Sequence, residues 1–202
     1  MLTDRTVTGL LEAFSAADPT PGGGSAAALA GATGAALLAM VAGMPKSRTN
    51  AVAERQALGV AAAELLKLRH LLTDLIDRDA SAYDLVIAAF RKPKGTDQEK
   101  AERRAAIQEA TRVATEVPLE TIRACVSAIR EGRATATHGN SSAASDVKVG
   151  YRLLIAAAEG ARDNVDINLS GLTDVALQTV IRDEVTTLMN EAAAHGRSVL
   201  AV

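Results

Sequence analysis

Residues 22–44 read GGGSAAALAGATGAALLAMVAGM, and the fold class turns on what this run is. No charged side chain occurs between Ala26 and Met44, a length that admits a membrane span. Against a span, the larger side chains are few: Leu29, Leu37, Leu38, Met40, Val41 and Met44 in a background of Ala and Gly. No Trp or Tyr anchors flank the run. It therefore reads as a helix enclosed by other helices, and no membrane contact is expected. Ser25 is a good N-cap residue for its start, and Gly43 to Pro45 marks its end.

Outward from this helix, the chain reads as further helices separated by short breaks. A first helix is predicted over about Thr3 to Ala17, ended by Asp18-Pro-Thr-Pro-Gly-Gly-Gly24. A third covers about Ala51 to Phe90, followed by the basic loop Arg91 to Gly95. Thr96-Asp-Gln-Glu99 is a capping box opening a fourth helix to about Glu131, in which Pro118 should form a kink or break. A fifth is predicted over Ser142 to Arg162 and a sixth over Thr173 to His195. The expectation is an all-α chain, one domain over residues 1–202, built as an antiparallel bundle of about six helices.

Composition agrees. The 202 residues include 42 alanines and only 2% aromatics, which nearly excludes an all-β sandwich or barrel. A net charge of −2 argues against nucleic-acid binding. The single Cys125 excludes an intramolecular disulfide framework and a cysteine-rich zinc site, and fits a reducing, cytoplasmic setting. The N-terminus carries Asp4, Arg5 and Glu12 where a signal peptide carries an apolar run, so no targeting segment is expected. An alanine-rich core buries little area per residue, and association into a homodimer is the expected compensation.

Three places have residues suited to chemistry. Gly22, Gly23, Gly24 and Ser25 open a helix, where free amides and the positive dipole end suit an anion or carbonyl oxygen; the alternative is a flexible turn. Leu72, Ile76, Tyr83, Val86 and Phe90 form one stripe of the third helix, with Asp79 on it and Asp74, Asp77, Arg78 and Asp84 off it. A carboxylate on a buried face has its pKa raised unless it is partnered, which suits a general base. The alternatives are pairing with a buried Arg or capping of a neighbouring helix. Tyr83 on that stripe reads as core. Asn140 with Asp146 suggests a polar pocket, or an Asp favoured by its helix N-terminus. Lys46, Arg48, Lys92 and Lys94 suit a polyanionic substrate tail, or are solvated loop charge. His70, His138 and His195 lack paired ligand spacing, so no metal is expected.

The ordered set of motifs resembles the cyclodeaminase/cyclohydrolase family of folate enzymes. The matching pieces are Pro19 to Ser25 with the helix to Gly43, Asp77-Arg-Asp-Ala80 with Ala82-Tyr83, and Pro93 to Thr96 with Glu99-Lys100. Val117-Pro-Leu119, Gly139-Asn140, Ser145-Asp146 with Val149, and Asn164-Val165 with Ile167-Asn168 complete it. The resemblance implies a dimeric helical bundle with a tetrahydrofolate-type substrate in a cleft near the subunit interface. It implies Asp79 as proton acceptor, and Gly22 to Ser25, Lys46, Arg48, Lys94, Asn140, Asp146 and Asn164 as substrate-binding residues. The implied activity is methenyltetrahydrofolate cyclohydrolase, giving a 10-formyl product without metal or redox cofactor. Formiminotetrahydrofolate cyclodeaminase activity with ammonia release is the alternative. A non-folate C–N substrate or a non-catalytic folate-binding dimer are others.

Overall fold

The computed structural model describes residues 1–44 and 51–201. Among these residues are six α-helices: α1 Val7–Ser15, α2 Gly23–Gly43, α3 Val52–Phe90, α4 Asp97–His138, α5 Ala144–Leu169 and α6 Val175–Leu200. Short 3-10 turns occupy Leu2–Asp4 and Ser141–Ala143, and no strand occurs among the described residues. The limits of α3 fall within a residue of expectation. α1 is shorter than expected because Thr6, not Thr3, is its cap: the Thr6 hydroxyl accepts from the Gly9 amide at 3.1 Å. The expected capping box is present at α4, with Thr96 Oγ1 accepting from Glu99 N (3.1 Å) and Glu99 Oε2 from Thr96 N (2.9 Å). α4, α5 and α6 all outrun their expected ends.

α2 is the axle of the bundle, packed on α3, α4 and α5. Its glycines record the directions. Gly24 faces Asp79 and Gly31 faces Leu72; Gly23 faces Asn164 and Gly34 faces Gly150. α3 and α5 therefore run antiparallel to α2. Gly31 also meets Cys125 while Leu38 meets Gly132, so α4 runs parallel to it. α6 packs on α4 and α5. A methyl group added at Gly34 would lie 2.8 Å from the Gly150 carbonyl oxygen, so here the two backbones are in contact. Such closeness lets small side chains fill a core without voids. By length and composition α2 is apolar enough to cross a membrane, yet twelve of its 21 residues are buried inside the bundle.

Of the kink or break expected at Pro118, the break does not occur. A proline lacks the N–H that would bond the carbonyl four residues earlier, that of Ala114. Asn168 Nδ2 of α5 donates to that carbonyl instead, at 2.7 Å. The missing bond is replaced from a neighbouring helix, and α4 continues to His138.

The stripe of α3 is core only in part. Leu72 and Ile76 are buried, but Tyr83 is 38% and Phe90 51% exposed. Tyr83 is therefore not core. Asp79 lies level with the first turn of α2, so the eleven residues from Ala80 to Phe90 extend beyond α2, by roughly 16 Å at 1.5 Å per residue. There the stripe has no α2 to bury it. Phe90 instead lies under the guanidinium of Arg103, 5.5 Å from the ring centroid.

Candidate functional site

Asp77, Arg78 and Asp79 are consecutive on α3, and the helical turn of about 100° per residue sends them to three different neighbours. Asp77 accepts from the Leu2 amide (2.6 Å) and the Thr3 hydroxyl (2.6 Å), fastening the N-terminal turn. Desolvation opposes its charge, but these bonds prevail and hold the carboxyl below its ordinary range. Arg78 forms a two-pronged ion pair with Glu120 of α4, at 2.6 and 3.2 Å. Asp79 alone turns toward the start of α2.

There it meets Ser25 and Gly24. Ser25 Oγ lies 2.9 Å from Asp79 Oδ2 and 2.9 Å from the Ile76 carbonyl oxygen. The Ser25 backbone amide bonds the same carboxylate. Gly24 is needed for this approach, because an added Cβ would lie 2.6 Å from Asp79 Cγ. α2 begins two residues earlier than expected, and its N-cap is Gly22, which supplies no capping side chain. Ser25 is thus the third helical residue rather than the cap, and Asp79 caps α2 from outside. The capping alternative is what the structure shows, and no arginine pairs with Asp79 among the described residues. Burial raises the Asp79 pKa above the ordinary carboxylate range, and the two Ser25 bonds moderate the rise. The carboxyl is half-buried rather than sealed.

Asn164 of α5 joins this cluster, its Nδ2 lying 3.4 Å from a Cβ built on Gly23 and donating to the Gly160 carbonyl at 2.8 Å. Gly22 to Ser25, Asp79 and Asn164 therefore converge at one end of α2. A cavity of about 530 Å³ between α1 and residues 18–21 adjoins the glycines through Pro21, but Asp79 does not line it.

Asn140 and Asp146 do not join the cluster. Because α5 runs antiparallel to α2, its N-terminus lies at the other end: Gly139 packs on Val41, 17 residues and roughly 25 Å along α2 from Gly24. Within one chain, Asp146 and Asn140 are thus not brought together with Asp79. Asp146 sits in the first turn of α5, as the helix-dipole reading has it. Lys94 is exposed in the turn between α3 and α4, beyond the end of Phe90. Lys46 and Arg48 lie outside the described residues. The motif reading did not separate Asn168 from Asn164. Its partner is the carbonyl that Pro118 orphans, and the signal was a proline inside a helical pattern.

Comparison with known proteins gives the same frame. The family model described as formiminotransferase-cyclodeaminase matches residues 6–187. The chain is 38% identical to the methenyltetrahydrofolate cyclohydrolase of Methylorubrum extorquens, over 96% of this chain and 93% of that protein. It is 36% identical to the formimidoyltransferase-cyclodeaminase of Sus scrofa over 89% of this chain, but spans only 33% of that longer protein. The crystal structure of formiminotetrahydrofolate cyclodeaminase from Thermotoga maritima superposes with a TM-score of 0.87 at 22% identity, covering 100% of this chain and 98% of the other, which speaks for the fold. With a match over nearly its whole length, the chain belongs to the formiminotransferase-cyclodeaminase family.

Proposed function

We propose that this protein is a folate one-carbon enzyme, a methenyltetrahydrofolate cyclohydrolase. The observation that carries the choice is similarity, 38% identity to a relative named as that cyclohydrolase against 36% and 34% to relatives named formimidoyltransferase-cyclodeaminase. The chain accounts for 93% of a relative named as that cyclohydrolase, and for about a third of those named formimidoyltransferase-cyclodeaminase.

The chemistry suits Asp79. The methenyl carbon lies between two nitrogens of a cationic amidine and is electrophilic. Asp79, ionised, takes a proton from water as its oxygen attacks that carbon. The adduct then collapses, the bond from carbon to N5 breaks, and Asp79 returns the proton to N5. The remaining hydroxyl proton goes to solvent as the formyl group forms on N10. A base whose pKa lies near the working pH performs both transfers well. The reaction changes no oxidation state, so this reading includes no redox cofactor. The start of α2, uncapped by Gly22 and at the positive end of its dipole, offers donors to a substrate oxygen. Asn164 beside it supports an orienting role toward the pterin edge.

A homodimer is part of the same reading. α2 carries no charge from Ala26 to Met44, yet Ala26, Thr33 and Met40 along it are exposed. Met40 is 46% exposed. A second copy would cover this apolar strip, and sedimentation equilibrium checks it.

The test is the decay of methenyltetrahydrofolate absorbance. Enzyme should accelerate it over the spontaneous rate, and Asp79→Asn should abolish the acceleration. Ammonia release from formiminotetrahydrofolate, with no effect on the methenyl compound, would replace this reading with the cyclodeaminase. No turnover of either would leave a binding dimer or a different C–N substrate.

A further inference from the structure

At the end of the bundle away from Asp79, a cavity of about 490 Å³ opens between the last turns of α4, the start of α5 and the last turns of α6. Among the described residues its ionisable lining side chains are Arg133 and Lys148, with no carboxylate. Elsewhere on α4, Arg112, Arg123 and Arg130 each close on a glutamate. Arg133 and Lys148 have no ion-pair partner among the described residues.

A second observation is independent of charge. Thr135 lines the cavity, is 1% exposed, and its Oγ1 has no hydrogen-bond partner. Helical threonines of this chain commonly return the hydroxyl to the carbonyl four residues back, as Thr33, Thr73, Thr115 and Thr121 do. Thr135 does not. A buried hydroxyl left unmet is costly, and it is met if a ligand supplies the acceptor. Ser141 and Ser198 add further hydroxyls to the wall. Ala144, the first residue of α5, brings the positive end of a 26-residue helix to the same space.

Two unpaired cations, a stranded buried hydroxyl and a helix start are complementary to one kind of group, a compact oxyanion. We propose that this cavity binds a small organic molecule through a carboxylate or phosphate group. Arg133 and Lys148 supply the charge, and Thr135 donates a hydrogen bond. The site is separate from Asp79, roughly 25 Å away along α2 in the same chain. It does not depend on the cyclohydrolase reading.

Calorimetric titration of the full chain at fixed ionic strength tests this, with inorganic phosphate in one arm and glutarate in the other. One saturable site is expected in at least one arm: phosphate alone identifies a phosphate ester as the ligand class, and glutarate a carboxylate. Lys148→Met with Arg133→Met should weaken binding at least about tenfold, and both side chains stand outside the core, so the fold is retained. Thr135→Val, which keeps the shape and removes the hydroxyl, should weaken it as well. Asp79→Asn should leave it unchanged, whatever its effect on turnover. Absence of a saturable site in both arms, or an affinity indifferent to the loss of both cations, would overturn the proposal.

Discussion

The Ser25 hydroxyl stands 2.9 Å from Asp79 Oδ2 and has one proton to give, with the Ile76 carbonyl, also at 2.9 Å, competing for it. When Asp79 is ionised, Ser25 donates to it. When Asp79 is protonated, the carboxyl donates to Ser25, which then turns to Ile76. Ser25 thus favours the charged form, against burial, which raises the Asp79 pKa. A base works when ionised, so kcat/KM should rise with pH through this elevated pKa and level off above it. Ser25→Ala removes a stabiliser of the carboxylate, so the rising limb should move to higher pH. A limb that stays in place in this variant excludes Asp79 as the group it reports.

The same shift has a consequence for stability. A carboxyl whose folded pKa exceeds its unfolded value favours the fold at low pH, and that benefit is lost as pH rises through the window between the two. Asp79→Asn removes the titration. Its stability relative to the parent should therefore improve as pH rises through that window, while turnover falls by at least about 100-fold. Urea unfolding at several pH values, set beside the absorbance assay, measures both.

Gly24→Ala places a methyl group against the Asp79 carboxylate, 2.6 Å from its Cγ. The side chain of Asp79 must move, and Ser25 loses its partner. The expected result is a fall in kcat of about 10-fold or more with a folded protein by circular dichroism. Unchanged kcat would show that the observed Asp79 position is not needed.

The exchange between Pro118 and Asn168 can be read by a double-mutant cycle. Asn168→Ala strands the Ala114 carbonyl and should cost about 1–3 kcal/mol. In a Pro118→Ala background the new amide can bond Ala114, so the same substitution should cost less. Equal costs in both backgrounds would mean that Asn168 acts elsewhere.

Two glycines in helices should respond oppositely to alanine. Gly34→Ala meets the Gly150 carbonyl and Leu154 Cγ at 2.8 Å, and should destabilise by about 1–3 kcal/mol through overpacking. Gly59, exposed on α3 with nothing near its absent Cβ, should stabilise on the same change by about 0.5–1 kcal/mol. Thermal unfolding of both variants is sufficient.

What was legible in the sequence was local. Helix periodicity located α2 and α3, turn residues separated them, and the Thr96 capping box appeared where its spacing put it. Asp79 was distinguishable from Asp77 by helical phase alone, because phase decides which neighbour a side chain meets. What was not legible depended on partners distant in the chain. Pro118 reads as a kink or break, and the continuity of α4 is explained only when Asn168, 50 residues later, is seen bonding the stranded carbonyl. Tyr83 and Phe90 continue an apolar stripe, but burial requires a facing helix, and α2 has already ended. Asn140 and Asp146 shared a motif order with Asp79, yet the antiparallel run of α5 carries them to the far end. Thr135 gave no signal, since an unmet hydroxyl exists only in three dimensions.

The contact of α2 with α3, α4 and α5 at once bears on how such a protein can diversify. Where the glycines of α2 bring backbone against a neighbour, at Gly24, Gly31 and Gly34, an added side chain pushes into α3, α4 or α5. New substrate preferences must then arise at the rim, from side chains borne by the surrounding helices and the turns joining them. Kinship in this fold should be read from the spacing of glycines along the axle, and difference in appetite from the residues that circle its two tips.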